Sequence, residues 1–383
     1  MREPTPRPIR VGRPAWRTAF ALVVAAMLVS SVIGGLLRAG VAVPVPGGDA
    51  WLGRAALAHA FLMICAFMGT VIGIERAVAL KRPFAFLAPG ASATAGVLMS
   101  TGMTASAAWL AVLASGLFIA ANAAVVARQR VDHTVLLLVG AAAWLAGNLL
   151  YAGGAPPDAV APWWFSFLTL TIAAERLEMT RLMRRRRGAA PALYACLGAM
   201  LLGSAAFVLS PAWGGLFYGL ALASLAVWLS LFDIARRTIA SQGLGRYMAV
   251  CLLLGYGWLA VSGIAWIAAA LGHPARDIAL HALGIGFVFS MMLGHAPVIL
   301  PALARVKLCF GAFFYVPVAL LHASLALRLL GGLVDAGLRS AGAIGNAAAI
   351  VVFALTMLGS ALAWRAGHRG TKRKVLRTEF DRS

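Results

Sequence analysis

Runs of about 20 apolar residues follow one another from Trp16 to Trp364, separated by short polar turns. About 20 is also the number of residues an α-helix needs to cross a hydrocarbon core roughly 30 Å thick. Inside such a core every backbone N–H and C=O must be satisfied within the chain, so the runs have to be helices. Twelve segments emerge, at about 16–37, 53–74, 84–103, 105–127, 134–152, 159–175, 189–209, 213–234, 247–271, 278–302, 309–330 and 341–364. The fold class is therefore all-α, a polytopic integral membrane protein of about twelve transmembrane helices in a single domain over 16–364. Residues 1–15 and 365–383 are basic tails. No small-residue cleavage site follows the first run, so it is expected to be a retained helix and not a signal peptide.

Only 12% of residues are charged, against roughly 25% in an average globular domain. The net charge is nevertheless +21, which could mean nucleic acid or lipid headgroups. The distribution decides between them. With the N-terminus placed in the cytoplasm, 28 of the 33 Lys and Arg residues fall on that side, and Arg38, Arg54, Arg276, Arg328 and Arg339 are the five exceptions. That asymmetry is the positive-inside signature. It predicts both termini in the cytoplasm of a bacterial inner membrane, anionic headgroups as the partner of the basic loops, and no nucleic acid. The oligomeric state is not legible. Cys65, Cys196, Cys251 and Cys309 lie in or beside apolar runs without a C-x-x-C spacing, which fits core packing better than a disulfide framework or a zinc site.

The chain also repeats itself. Residues 66–76, AFMGTVIGIER, and 166–176, SFLTLTIAAER, align Phe67 with Phe167, Ile72 with Ile172, Glu75 with Glu175 and Arg76 with Arg176. Four helices separate the copies, and four further on the tenth helix leaves the membrane at Gly294-His295-Ala296-Pro297. Three pseudo-repeats of four helices are suggested, a common device in membrane folds.

Ionisable groups within apolar helices are the candidates for function. His59 opens the second helix and His281 the tenth, both entering from the outside, so their rings are expected at one depth. Two imidazoles on facing helices could be the axial ligands of one haem iron. Small neighbours such as Ala58 and Gly284 would make room for the macrocycle. The plain alternative is that each His hydrogen-bonds a carbonyl or hydroxyl on a neighbouring helix. His322 on the eleventh helix could approach the same metal region. His295, 14 residues after His281, falls on the same face of a regular helix but about 21 Å away, where it could serve a proton path or cap the turn before Pro297. Glu75-Arg76 and Glu175-Arg176 are adjacent in sequence and point about 100° apart. They could anchor helix depth or take part in proton conduction. Trp51, Trp163, Trp164, Trp213 and Trp364 sit at predicted helix ends, as an aromatic belt would. No motif assigns a catalytic residue.

Histidines near the outer ends of helices two and ten resemble the low-spin haem site of the haem–copper oxidase catalytic subunits. The remaining ligands of that family are missing, since helices six and seven contain no His. The sequence is more similar to the NnrS family of bacterial twelve-helix haem and copper proteins linked to nitric oxide stress. The residues carrying that resemblance are Trp51 with His59-Ala60-Phe61-Leu62-Met63, and His281-Ala282-Leu283-Gly284. It implies an inner-membrane protein with haem b on His59 and His281, acting in redox chemistry or nitric oxide handling, with a small molecule or gas as ligand. Ala60 stands where the family has an acidic residue, which leaves copper doubtful. The competing expectation is a cofactor-free secondary transporter that uses Glu75, Glu175 and His295.

Overall fold

The computed structural model describes residues 15–180, 188–304 and 306–380. The tail before residue 15, the run Arg184 to Arg187, Arg305 and the last three residues lie outside them. Among the described residues the chain is helical without a strand. Twelve long helices cross the bundle: α1 Ala15–Arg38, α2 Phe61–Leu80, α3 Pro83–Thr101, α4 Thr104–Arg128, α5 Asp132–Ala152, α6 Pro157–Met179, α7 Ala189–Leu209, α8 Pro211–Phe232, α9 Gly243–Ala270, α10 Arg276–Pro301, α11 Ala312–Gly331 and α12 Ala336–Gly367. A short helix, Asp49–Leu57, leads into α2. The turns between them are too short for anything but antiparallel neighbours.

Eleven of the twelve are long and apolar enough to span a membrane; α6 is the exception. Its position explains why. Sixteen of its 23 residues are buried, so it meets other helices and not lipid, and Ser166, Thr169 and Thr171 are tolerated there. The most apolar stretches of α1 and α12, by contrast, are only 22% and 17% buried and form lipid-facing walls. Helices α2, α6 and α10, which follow one another at intervals of four, all contribute side chains to one central cavity.

Packing around α6 is aromatic and polar by turns. Trp144 of α5 stacks on Phe167 at 4.9 Å, and Phe118 of α4 meets both edge-on. Beside them Asn148 of α5 accepts from Trp164 Nε1 at 2.9 Å and Cys65 Sγ at 3.2 Å, and donates to the Ala111 carbonyl at 2.9 Å and to Ser115 Oγ. One buried amide thus joins α2, α4, α5 and α6, the kind of polar link that holds helices together where lipid and side chain are equally apolar.

Several sequence expectations need correcting. The second and sixth helices run on to Leu80 and Met179, so the Glu-Arg pairs are helical, about a turn before each helix ends. The tenth continues through Pro297 and Pro301 to Ala304. Proline removes one N–H and frees the carbonyl four residues earlier; at Pro297 that carbonyl, Leu293, accepts from Tyr247 Oη at 3.1 Å. Trp164 is not a belt residue but core. Cys309 is exposed, while Cys65 and Cys251 are buried.

Candidate functional site

Three helices depart from α geometry, each beside the cavity. π-turns span Phe61–Met68 in α2, Ala282–Phe289 in α10 and Leu327–Gly331 in α11. The first begins two residues after His59 and the second directly after His281, and the third contains Arg328. Such turns are rare and gather at functional sites. They also change helical phase relative to a regular α-helix.

The cavity they surround has a volume of about 440 Å³, within the range that takes a small organic ligand or cofactor. Its walls are apolar and aromatic: Ile64 and Met68 of α2, Trp164, Phe165 and Leu168 of α6, Val288 of α10 and Ile350 of α12. His59 and His281 both line it. Their ring centroids are 6.5 Å apart with planes 19° from parallel.

Hydrogen bonds fix each ring. Nδ1–H of His59 donates to the Ser31 carbonyl on α1 at 2.6 Å, which leaves Nε2 with its lone pair. The approach depends on Gly35, because a Cβ there would stand 2.9 Å from His59 Cε1. Nδ1 of His281 lies 3.0 Å from the Asp277 carbonyl and 2.9 Å from Asp277 Oδ1. These acceptors place the proton on Nδ1, so Nε2 accepts, and Arg328 Nη2 stands 3.0 Å from it. The same guanidinium bonds Asp277 Oδ1 at 3.1 Å. His59 thus meets the plain expectation of a carbonyl on a neighbouring helix, Ser31 on α1, while the partners of His281 are Asp277, one turn earlier on α10, and Arg328 on α11.

Arginine marks the mouth. Arg38, Arg276, Arg328 and Arg339 all line the cavity, and these are four of the five basic residues that break the positive-inside count. Arg276 pairs with Asp158 and Arg328 with Asp277. Among the described residues neither Arg38 nor Arg339 has a carboxylate partner, and Arg339 Nε is buried without any acceptor. The cavity is therefore an amphipathic container with an apolar body, two opposed imidazoles and two uncommitted cations at its rim.

His322 does not join them. Its Nδ1 accepts from Trp258 Nε1 at 2.8 Å, its Nε2 lies 3.4 Å from Ser290 Oγ, and its ring lies parallel to Trp258; it does not line the cavity. A metal role for His322 is corrected accordingly, since both nitrogens are engaged elsewhere. His295, Glu75, Arg76, Glu175 and Arg176 lie toward the opposite end of the same three helices. There Arg176 Nη2 approaches His295 Nε2 at 2.5 Å. Among the described residues no group of three or more His, Cys, Asp or Glu side chains converges as a metal site would require.

The model of a family described as a domain of unknown function, DUF8744, matches residues 17–362. No curated protein and no solved structure matches the chain.

Proposed function

The chain belongs to the DUF8744 family, whose description carries no activity, and from the cavity we propose that it is an NnrS-like haem b protein of a bacterial inner membrane, with His59 and His281 as axial ligands and with redox chemistry as its role. The observation that carries the reading is the spacing of the two rings. Two imidazoles that held one iron through Fe–N bonds of about 2 Å, with about 1.1 Å from each nitrogen to its ring centre, would have centroids about 6.2 Å apart. The rings here stand 6.5 Å apart.

The donor set points the same way. A metal held by side chains alone needs three or four ligands, and only two imidazoles face one another here. A porphyrin supplies four nitrogens itself and asks the protein for two. It also brings an apolar body and two carboxylates, which the aromatic lining and the free Arg38 and Arg339 suit. When bound, the group supplies one-electron transfer. The protein's part is to keep both imidazoles neutral with Nε2 inward, through Ser31 and Asp277, and to keep water from the ring. Arg328 must release His281 Nε2 to Asp277 alone. Holding the group through both His59 and His281 would favour electron transfer over direct binding of a gas. Membrane orientation belongs to the same proposal: the cavity opens at the periplasmic end and both termini are cytoplasmic.

Purified full-length protein should show a Soret band and the sharp α and β bands of bis-imidazole haem, and His59→Leu or His281→Leu should abolish that spectrum while the protein still inserts. A colourless protein that fails to take up added haemin would sink the reading in favour of the cofactor-free transporter.

A further inference from the structure

The two imidazoles of the cavity differ in the partners they keep. His59 Nδ1–H meets the Ser31 carbonyl at 2.6 Å, a neutral acceptor. His281 Nδ1 has the Asp277 carbonyl at 3.0 Å and, at 2.9 Å, the Asp277 carboxylate. A carboxylate draws the Nδ1 proton toward itself and gives the ring part of the character of an imidazolate, which makes Nε2 the more basic donor. Such a donor favours the more highly charged oxidation state of a metal over the reduced one. Asp277 alone therefore pulls a reduction potential down.

Arg328 stands against that pull. Its Nη2 is 3.1 Å from Asp277 Oδ1 and its Nε 3.5 Å from Oδ2, so the guanidinium fork is already turned to the carboxylate and keeps it when Nε2 of His281 is released. Nη2 is also 3.3 Å from His281 Nδ1. The side chain is 7% exposed, so water screens its charge little. Its backbone is clamped as well. A Cβ on Gly342 of α12 would stand 2.3 Å from Arg328 N, and one on Gly332 would stand 2.3 Å from the Arg328 carbonyl oxygen. The π-turn Leu327–Gly331 sets the phase at which the side chain leaves α11.

We propose that Arg328 is a positioning residue that sets the reduction potential of the site, by cancelling the charge that Asp277 places on His281. The inference rests on the haem reading and adds to it the chain's own means of tuning: His59 is left with a neutral partner, and His281 is adjusted by a carboxylate and a guanidinium of opposite effect.

The test is a potentiometric titration of the full-length protein in lipid nanodiscs, loaded with haemin, with the bis-imidazole bands recorded in the same cell. Arg328→Met strands only the part-exposed Asp277. It should move the ferric–ferrous equilibrium roughly tenfold toward the ferric form, a fall of about 59 mV for one electron. The spread of the ferric EPR g values should narrow with it as imidazolate character grows. Arg328→Lys, which returns the charge, should recover most of both changes. The double variant Arg328→Met with Asp277→Asn, which has neither charge, should come back near the wild type. An equilibrium that moves less than about twofold in Arg328→Met, with the bands intact, overturns the proposal and leaves the haem reading standing. Loss of the bands in Arg328→Met does the same, because the arginine would then be a structural support. So does a double variant as low as Arg328→Met, which would take Asp277 out of the account. A wild type that takes up no haemin ends both readings.

Discussion

Arg328 and Asp277 depend on each other unequally. The guanidinium side chain is 7% exposed and the carboxylate 42%, so a stranded Asp277 can turn to water whereas a stranded Arg328 cannot. Removing one partner of a buried pair costs about 3–5 kcal/mol, most of it from the charge left behind. Asp277→Leu should therefore lower the unfolding midpoint in detergent far more than Arg328→Met, and the reverse order would contradict the pairing described here. Asp277→Leu also takes the carboxylate acceptor from His281, leaving only the backbone carbonyl. At the rim, Arg38→Ala and Arg339→Ala should each weaken haem retention roughly tenfold, on the scale of a lost charge-assisted hydrogen bond, as read by haem transfer to an apo-globin acceptor. Unchanged retention in both would remove the carboxylates from the argument.

Helices meet through small residues and single polar groups, and each such point is testable. A Cβ on Gly34 would stand 2.1 Å from the Ala55 carbonyl, a backbone atom that cannot turn aside. Gly34→Leu should separate α1 from the short helix Asp49–Leu57 and destabilise by about 1–3 kcal/mol. Asn148→Leu removes an acceptor and leaves Trp164 Nε1–H buried and unpaired, for about 1–3 kcal/mol; Asn148→Asp, which keeps an acceptor, should recover part of the thermal midpoint. At this scale the sequence is a good guide to which segments are helices, because apolar length alone identifies a span. It is a poor guide to helical phase. The π-turns after His59 and His281 carry no composition signal, so periodicity cannot foresee them. The matched depth of His59 and His281, by contrast, follows from counting residues, and it brings the two rings to one cavity. Ser31 and Arg328 are invisible as partners until the elements are assembled, whereas Asp277 lies four residues before His281 on the same helix. The arginines were visible in the charge count all along, since the four that defy it share one mouth.

For the molecule as a whole, sidedness is the first quantity to measure. A reporter active only in the periplasm should be silent when fused after Ser383, and an added cysteine beside Arg276 should react with an impermeant thiol reagent from outside. Strong reporter activity would invert the bundle, placing the arginine-rimmed mouth in the cytoplasm and the Glu75–Glu175 end outside.

The burial of α6 also bears on how the chain is made. A nascent segment is sorted into lipid according to its own apolarity, and charges near a helix centre are penalised by about 2.5–3.5 kcal/mol each. α6 carries Asp158, Glu175, Arg176 and Glu178 along with Pro157 and Pro162, and in the finished protein it barely touches lipid. Such a segment does not partition by itself. It has to enter as a hairpin with α5, whose Gly140 and Gly147 lie against Leu170 and Trp164 of α6, and then wait for α10 to close over it. Biogenesis therefore has an order: α6 fused alone to a glycosylation reporter should be passed through the translocon, whereas the α5–α6 pair should be retained.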